Sequence, residues 1–147
     1  MHRRAVFTRN HKTHLEEACN REEPTAFQSE KKWSGAQGWL KKQKTLKVYI
    51  APVGDSKVEY EGIIVEIALK GSDPEAAKKL LGARGEETNK EDDWGETVYL
   101  LKDCRKIPVI SQISLSELEK AKDGTHLSEN YKYSYSIVLE RDTPPVA

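Results

Sequence analysis

Two tryptophans with lysines on either side form the first group of residues in this sequence that could do chemistry. Trp33 and Trp39 could each offer an aromatic face on which a nucleobase stacks, and the neighbouring ammonium groups could contact its flanking phosphates. These basic residues are Lys31, Lys32, Lys41, Lys42, Lys44 and Lys47. Alternatively, both indoles pack in the core and the lysines form a solvated surface. The pattern predicts a nucleic-acid surface, with an ordinary basic face as the alternative.

The distribution of charge supports that prediction. Residues 1–47 contain 11 Lys and Arg against 5 Asp and Glu, whereas residues 48–147 contain 13 against 19, so the net charge of zero hides two opposite parts. A polyanion would meet the basic N-terminal third. The partner predicted on this ground is nucleic acid.

A second polar group stands near the C-terminus, where tyrosines alternate with other residues. The alternating residues are Tyr131, Tyr133 and Tyr135. Alternating aromatics are typical of a half-buried strand, so the stripe itself is predicted to be packing. The turn before it is the better candidate for a site, since it offers hydroxyl groups, an amide and an imidazole. Its candidate binding residues are His126, Ser128, Asn130 and Tyr131.

Nucleophilic catalysis has less support in the sequence. Cys104 or Ser128 could pair with His126 as nucleophile and base, but no orienting acid or glycine-rich elbow accompanies either pair. No catalytic residue is therefore assigned, and the chain is predicted to bind without catalysis of its own.

Metal and thiol chemistry are likewise not predicted. His11, His14 and Cys19 do not have a standard zinc spacing, and Cys19 and Cys104 lack CxxC spacing, so both cysteines are interpreted as ordinary thiols. The acidic segment 86–96 lacks the spacing of an EF-hand and is predicted to be a solvated loop. Neither a metal nor a cofactor is expected.

Length and composition favour one globular domain. The chain has 147 residues, of which 37% are hydrophobic and 33% charged, and a chain of this size can bury a core without disulfides or metals. No apolar run reaches the roughly 18 residues of a membrane helix, and the N-terminus lacks the apolar core of a signal peptide. A cytoplasmic location without membrane association is the expectation.

The elements that must position these residues follow from periodicity and capping signals. Thr13 and Glu16 have capping-box spacing, Asp73 and Pro74 form a helix start, and Ser114 with Glu117 repeats the capping box. These signals predict helices over 13–23, 74–82 and 114–123. Period-two and apolar runs predict strands over 5–7 (at an edge), 45–50, 58–69, 97–101 and 131–139. Gly62 is expected to mark a bulge or a close backbone approach, and 25–43 has no clear period.

Strands separated by short helices in one domain favour an α+β or barrel-like mixed β architecture. The run KVYIAPVGDSKVEYEGIIVEIAL, with Val48-Tyr49-Ile50 followed by Gly62-Ile63-Ile64-Val65-Glu66-Ile67, resembles the middle of the EVE and ASCH branch of PUA-like domains. The late run IPVISQISLSELEKAKDGTHLSENYKYSYSIVLE resembles the end of the same domains. The resemblance covers about residues 45–140, while residues 1–44 form a basic part that matches loosely.

The resemblance implies a single PUA-like domain over residues 1–147, built as a small mixed β-barrel with flanking short helices. It also implies a nucleic-acid-binding module, which in several members of the family reads a modified base in DNA or RNA. The glycine-lysine-glutamate-arginine signature of many ASCH proteins is missing, which favours the EVE-type side. Two alternatives stay open, a small nucleic-acid-processing hydrolase of ASCH type and a protein–protein interaction domain.

Overall fold

A mixed six-stranded sheet with three α-helices forms the α+β fold of this chain. The computed structural model describes residues 3–88 and 95–141. In these residues the helices are α1 (Lys12–Cys19), α2 (Ser34–Gln43) and α3 (Pro74–Leu81). The strands are β1 (Arg4–Asn10), β2 (Thr25–Ser29), β3 (Leu46–Pro52), β4 (Lys57–Val58), β5 (Tyr60–Leu69), β6 (Thr97–Lys106), β7 (Ile113–Ser114) and β8 (Tyr135–Leu139). No helix among the described residues has the length and apolar character needed to cross a bilayer.

The sheet has the strand order β2-β6-β5-β3-β1-β8, and β4 pairs with β7 in a separate ribbon. β1 runs parallel to β3, whereas the other neighbours are antiparallel. Among the described residues β2 and β8 do not pair with each other, so the closed barrel is not confirmed. Both outer strands are nevertheless covered: Ala26 donates its N–H to the Ala83 carbonyl at 3.1 Å, and Leu139 donates to the Glu119 carbonyl at 2.9 Å.

Hydrophobic side chains pack on both faces of the sheet. On one face α1 and α2 cover a cluster that includes Val6, Leu15, Trp33 and Ile64. On the other, the C-terminal segment contributes to a second cluster that includes Phe7 and the residues Tyr49, Leu115, Leu118 and Val138. β1 sends Val6 to the first cluster and Phe7 to the second. It pairs with β3 on one side and with β8 on the other, so it is a central strand, and its prediction as an edge strand is wrong.

Several predicted elements are confirmed where the signal was local. β3, β5 and α3 occupy the predicted positions, and β6 continues five residues past the predicted strand. Gly62 lies at a break of register between β5 and β6, as expected. A Cβ atom on Gly62 would lie 2.6 Å from the Leu101 Cδ1 atom, which explains why this position has no side chain.

Other elements differ from the prediction. α1 ends at Cys19 rather than near Pro24. It begins directly after His11, whose side chain makes no capping hydrogen bond to the helix. The capping box of Ser114 and Glu117 forms, but it begins only one 3-10 turn, Leu115–Glu117. The chain then pairs as a strand would, through the bridges Glu119 to His126 and Lys120 to Val138. The predicted third helix is therefore wrong.

The alternating tyrosines do not form one stripe, because β8 begins only at Tyr135. Tyr135 packs against the cluster of α1 and α2, whereas Tyr131 packs against the cluster on the opposite face. Tyr133 lies between them with 57% of its surface exposed. The segment before β8 thus crosses the end of the sheet, and this crossing builds the site described next.

Candidate functional site

Two neighbouring clefts open at the C-terminal end of β1. The larger has a volume of about 350 Å³ and the smaller about 230 Å³, and Arg9, Val53 and Lys132 line both. The other residues of the larger cleft are Gly54, Asp55, Ser56, Glu129, Asn130 and Tyr131. The other residues of the smaller cleft are Asn10, His11, Gln28, Ser29, Glu30 and Ser134. The ends of β1 and β2, the turn between β3 and β4 and the crossing segment before β8 position these side chains.

Arg9 stands between the two clefts and is held in place by carbonyl oxygens. Its Nη1 atom donates to the Asp55 carbonyl at 2.7 Å and to the Pro52 carbonyl at 3.3 Å, and its Nη2 atom donates to the Tyr131 carbonyl at 2.7 Å. Burial lowers the pKa of Arg9 below its ordinary value, but an arginine at neutral pH remains charged. The charge of Asp55 opposes this shift, although Arg9 and Asp55 form no ion pair among the described residues, so the guanidinium keeps a positive charge that an anion entering the cleft would meet.

The crossing segment supplies an amide and a second cation to the larger cleft. Tyr131 is fixed by the edge of its ring against Phe7, with the centroids 5.9 Å apart, and by its hydroxyl, which donates to the Tyr135 carbonyl at 3.0 Å. Burial raises the pKa of Tyr131. The Asn130 carboxamide and the Lys132 ammonium make no hydrogen bond or ion pair within the described parts of the chain. Both groups are therefore available to a ligand.

The smaller cleft has a polar floor that is already hydrogen-bonded. Asn10 is buried, and its Oδ1 atom accepts from the His11 N–H at 2.8 Å and lies 3.3 Å from His14 Nδ1. The buried Ser29 Oγ accepts from Trp33 Nε1 at 3.0 Å. These bonds make the floor rigid and leave the recognition of a ligand to the rim.

Trp33 lies in the core rather than on a binding surface. Its side chain is 0% exposed, and its ring stacks between Tyr99 at 4.5 Å and Tyr135 at 4.9 Å. Phe27 stacks on Tyr99 in turn, at 5.6 Å. Two tyrosine rings stack on the Trp33 indole, which has no exposed surface. Trp33 therefore has no face for a base, and the prediction of a stacking platform does not fit its position.

Trp39 lies six positions further along the chain, near the other end of α2, and is partly buried. The Arg4 guanidinium carbon and the Lys42 Nζ atom each lie 4.7 Å from the centre of its ring. A base would therefore compete with two cations for this indole. Arg4 is the first residue of β1, whereas the clefts lie at the last, and seven extended residues span roughly 20 Å.

The predicted lysines are divided between these two places. Lys31 and Lys32 are exposed and directly follow residues that line the smaller cleft, and Lys31 Nζ lies 5.9 Å from the centre of the Tyr133 ring. Lys41 and Lys42 are exposed at the far end of α2. One contiguous basic surface of all four lysines is thus not present.

The candidate turn is also divided. Asn130 and Tyr131 line the larger cleft, whereas the His126 Nδ1 atom lies 2.6 Å from the Ser116 carbonyl and its Nε2 atom lies 3.8 Å from Glu119. The Ser128 hydroxyl accepts from the Asn130 N–H at 3.1 Å. Ser128 therefore shapes the turn, whereas His126 lies outside the clefts and pairs with Glu119 in an isolated bridge.

The pairs considered for catalysis are not brought together. Cys104 contacts Cys19 and the Leu15 carbonyl, while His126 faces Ser116 and Glu119. His11 and His14 meet edge to face with their centroids 5.3 Å apart. In residues 3–88 and 95–141 no three His, Cys, Asp or Glu side chains are grouped so as to hold a metal ion. Most of segment 86–96, the acidic loop, lies outside the described residues.

Arg9 and Lys132 were not among the predicted site residues. Arg9 follows an apolar strand whose full length was not recognised, and Lys132 stands between two tyrosines that were interpreted as packing. The signal that could have found them is the crossing of the segment before β8 over the end of β1, which depends on tertiary structure. Comparisons with protein-family models, curated protein sequences and solved structures found no match to this chain.

Proposed function

We propose that this chain is a nucleic-acid-binding module that takes one nucleotide of DNA or RNA into the paired clefts at the end of β1, without catalysis of its own. The observation that carries the proposal is the grouping of Arg9, Asn130 and Lys132 around one concave surface. Neither cation forms an ion pair among the described residues, although the charge of Asp55 acts on Arg9, and the Asn130 carboxamide that lines the same cleft has no hydrogen bond in this part of the chain. Cations and an amide beside a cleft are what phosphate binding and base-edge recognition require.

The size and shape of the clefts agree with this proposal. Sites for small molecules commonly have volumes of about 300 to 1,000 Å³, and the larger cleft alone has about 350 Å³. Lys132 can meet a phosphate as a mobile point charge, whereas Arg9 is fixed by three carbonyl oxygens and can donate from a defined position. Asn130 supplies both a donor and an acceptor for the edge of a base. Lys31 and Lys32 extend the basic surface beyond the smaller cleft.

The PUA-like, EVE-type assignment is part of the proposal, and so is a modified base as the ligand. The PUA-like, EVE-type assignment is supported by the resemblance over residues 45–140 and by the approach of the two outer strands at one end of the sheet. There Ser134, just before β8, donates its hydroxyl to a Glu30 carboxylate oxygen at 3.4 Å, just after β2. Trp33 links these strands, since it stacks on Tyr135 of β8 and its Nε1 atom donates to Ser29 of β2. A strongly curled sheet of this kind is what a nearly closed barrel requires.

Fluorescence anisotropy with labelled oligonucleotides at several salt concentrations tests the proposal. The probes are single-stranded DNA, single-stranded RNA and duplex DNA, each with and without a methylated cytosine or adenine. Lys132→Ala should weaken binding about tenfold and reduce the salt dependence by about one phosphate contact. Asn130→Ala should weaken binding and reduce the difference between bases, with little change in salt dependence.

Lys122→Ala is the matched control, because Lys122 is exposed and lies in a turn outside both clefts. It removes the same charge and should leave the affinity almost unchanged. If the wild-type chain binds none of the probes at low salt, where the phosphate contribution is greatest, the proposal is wrong and the protein-interaction alternative gains support. Equal loss in the two lysine variants would mean that the clefts do not form the binding site.

A further inference from the structure

Cys19 and Cys104, which no spacing motif connects, lie side by side. Their Sγ atoms are 2.8 Å apart although the residues are 85 positions apart in the chain. Cys19 is the last residue of α1 and Cys104 belongs to β6. Both are half-buried against the cluster beneath α1 and α2. The two cysteines, interpreted from the sequence as ordinary thiols, are therefore neighbours in the fold.

A bulge in the sheet turns Cys104 toward Cys19. Along β6 the register changes between the pairs Glu61 to Arg105 and Ile63 to Lys102, so that Gly62 stands opposite two residues, Asp103 and Cys104. Leu101 is buried, and regular alternation from it would direct Asp103 inward and Cys104 outward. Instead Lys102 and Asp103 are exposed and Cys104 faces α1. The extra residue of the bulge thus reverses the direction of the thiol.

The bulge requires an unusual backbone conformation. Asp103 has a φ of 53°, in the left-handed region that residues other than glycine seldom adopt. Gly62 accommodates the bulge from the opposite strand, since a Cβ there would lie 3.1 Å from the Lys102 carbonyl oxygen. Two unusual backbone positions therefore combine to bring one sulfur atom to the other.

We propose that Cys19 and Cys104 form a redox-active dithiol site, which a low-molecular-weight disulfide such as glutathione disulfide oxidises to an intramolecular disulfide joining α1 to β6. The present separation of the sulfur atoms exceeds the length of an S–S bond by roughly 0.8 Å, so a small shift of the end of α1 closes it. This site is independent of the nucleotide clefts.

The reaction proceeds by two thiol–disulfide exchanges. The Cys19 thiolate attacks one sulfur of glutathione disulfide, which forms a mixed disulfide and releases one glutathione thiolate. Cys104 then loses its proton to solvent and attacks the Cys19 sulfur, which releases the second glutathione. The two thiols of the protein are oxidised, one molecule of glutathione disulfide is reduced to two glutathione molecules, and two protons pass to them.

The roles of the two sulfurs follow from their surroundings. The contact between the two sulfurs lowers the pKa of Cys19 despite its burial, whereas the same contact and burial raise the pKa of Cys104, whose thiol also lies 3.9 Å from the Leu15 carbonyl, to which it can donate. Cys19 is therefore the attacking group, and Cys104 resolves the mixed disulfide.

Tyr60 is also buried beneath them, and its hydroxyl has no hydrogen-bond partner among the described residues. Burial first, and then negative charge at Glu16 and Cys19, raise the pKa of Tyr60 to about 12.

The test is equilibration of the full chain with glutathione disulfide, followed by intact mass and thiol titration. The wild-type chain should lose two hydrogen atoms and both titratable thiols, and digestion should yield one linked pair of peptides containing Cys19 and Cys104. Closing so long a loop should raise Tm by roughly 5 to 10 °C, and dithiothreitol should reverse the change.

Two single variants separate the roles of the sulfurs. Cys104→Ser should stop at the mixed disulfide, with one glutathione bound to Cys19 and no rise in Tm. Cys19→Ser should react several-fold more slowly with glutathione disulfide, and circular dichroism should show that both variants remain folded. Two thiols that remain free in the wild-type chain, a glutathione on each cysteine, or a link between two chains would each overturn the proposal.

Discussion

The two ends of α2 carry almost the same residues and do different things. The sequence KKWSGAQGWLKK places two lysines and a tryptophan before the helix and a tryptophan and two lysines near its end. At the beginning, Trp33 is completely buried between tyrosine rings while Lys31 and Lys32 lie beside a cleft. At the end, Trp39 is partly exposed and cations cover its ring.

This difference shows that a basic aromatic cluster does not by itself define a binding surface. What distinguishes the beginning of α2 is the concave surface formed by the end of β1 and the segment that crosses it. Lys31 and Lys32 stand next to a volume that a ligand can enter, whereas at the end of α2 Lys42 lies over the Trp39 indole and Lys41 is exposed. Four experiments test this difference between the two ends of α2.

The largest difference is expected in stability. Trp33→Ala should lower the free energy of unfolding by about 3 to 5 kcal/mol, because it removes a fully buried indole from an aromatic column. Trp39→Ala should cost about 1 kcal/mol, mainly from lost packing and cation–π contact. Urea unfolding followed by far-ultraviolet circular dichroism measures both values. Similar losses for the two variants would contradict the assignment of one tryptophan to the core and the other to the surface.

The next difference concerns binding by the two lysine pairs. The double variant Lys31→Ala, Lys32→Ala should weaken binding of single-stranded oligonucleotides about tenfold and reduce the salt slope by about 1.4, the value for two phosphate contacts. Lys41→Ala, Lys42→Ala removes the same charge but should weaken binding less than about threefold. Anisotropy titrations at several salt concentrations give both numbers. The reverse order would move the binding surface to the far end of α2.

A smaller effect on stability should appear at alkaline pH through Tyr135, the first residue of β8, which contacts Trp33 and Ala36 at the beginning of α2. Burial raises its pKa to about 12, although a hydrogen bond from the Ala36 N–H at 3.3 Å opposes this. Because the folded-state pKa lies above the unfolded value near 10, the stabilisation is complete below about pH 10 and is lost as the pH rises toward 12.

Tyr135→Phe should therefore lose about 1 kcal/mol less stability than the wild type between pH 9 and pH 11. Urea unfolding at these two pH values measures the difference. Tyr133→Phe is the control, since Tyr133 is 57% exposed, and it should follow the wild type. An identical pH dependence for Tyr135→Phe and the wild type would mean that this hydroxyl is not buried as described.

The smallest effect is expected for Trp39 in binding. A base-stacking tryptophan contributes about 1 to 3 kcal/mol per base, but Arg4 and Lys42 already occupy the ring of Trp39. Trp39→Ala should therefore change the affinity for oligonucleotides less than about twofold, as measured by the same anisotropy titrations. A tenfold loss in a folded variant would show that a base displaces one of these cations, and it would restore the sequence-based prediction for this indole.

The parts of the fold that could be predicted are those with a local signal. β3 and β5 follow from apolar runs, and α3 follows from Asp73 and Pro74. α2 was not recognised because Gly35 and Gly38 weaken the helical pattern. Gly35 is closely packed, since a Cβ there would lie 2.8 Å from the Ile137 Cδ1 atom. A contact between residues about a hundred positions apart leaves no local trace.

The candidate site was predictable to the same extent. The turn that contains Asn130 and Tyr131 does line a cleft, whereas Trp33 does not, because an indole that stacks on tyrosines and one that stacks on a base have the same sequence signature. Arg9 could not be found, since its role depends on carbonyl oxygens from two distant segments, the turn that contains Pro52 and Asp55 and the segment that contains Tyr131. The pairing of Cys19 and Cys104 was missed because it depends on a bulge, which reverses the alternation that a strand pattern assumes.

The covering of the outer strands has a consequence for how this protein behaves at high concentration. Each residue of β2 is buried, and β8 exchanges backbone hydrogen bonds with the segment 119–121. Exposed strand edges are the usual starting points for chain-to-chain pairing and aggregation. Because β8 is hydrogen-bonded to this segment and the buried β2 donates its Ala26 N–H to Ala83, concentrated solutions should resist strand-mediated association until the segment 119–121 detaches, which makes that detachment the step to watch in long-term storage.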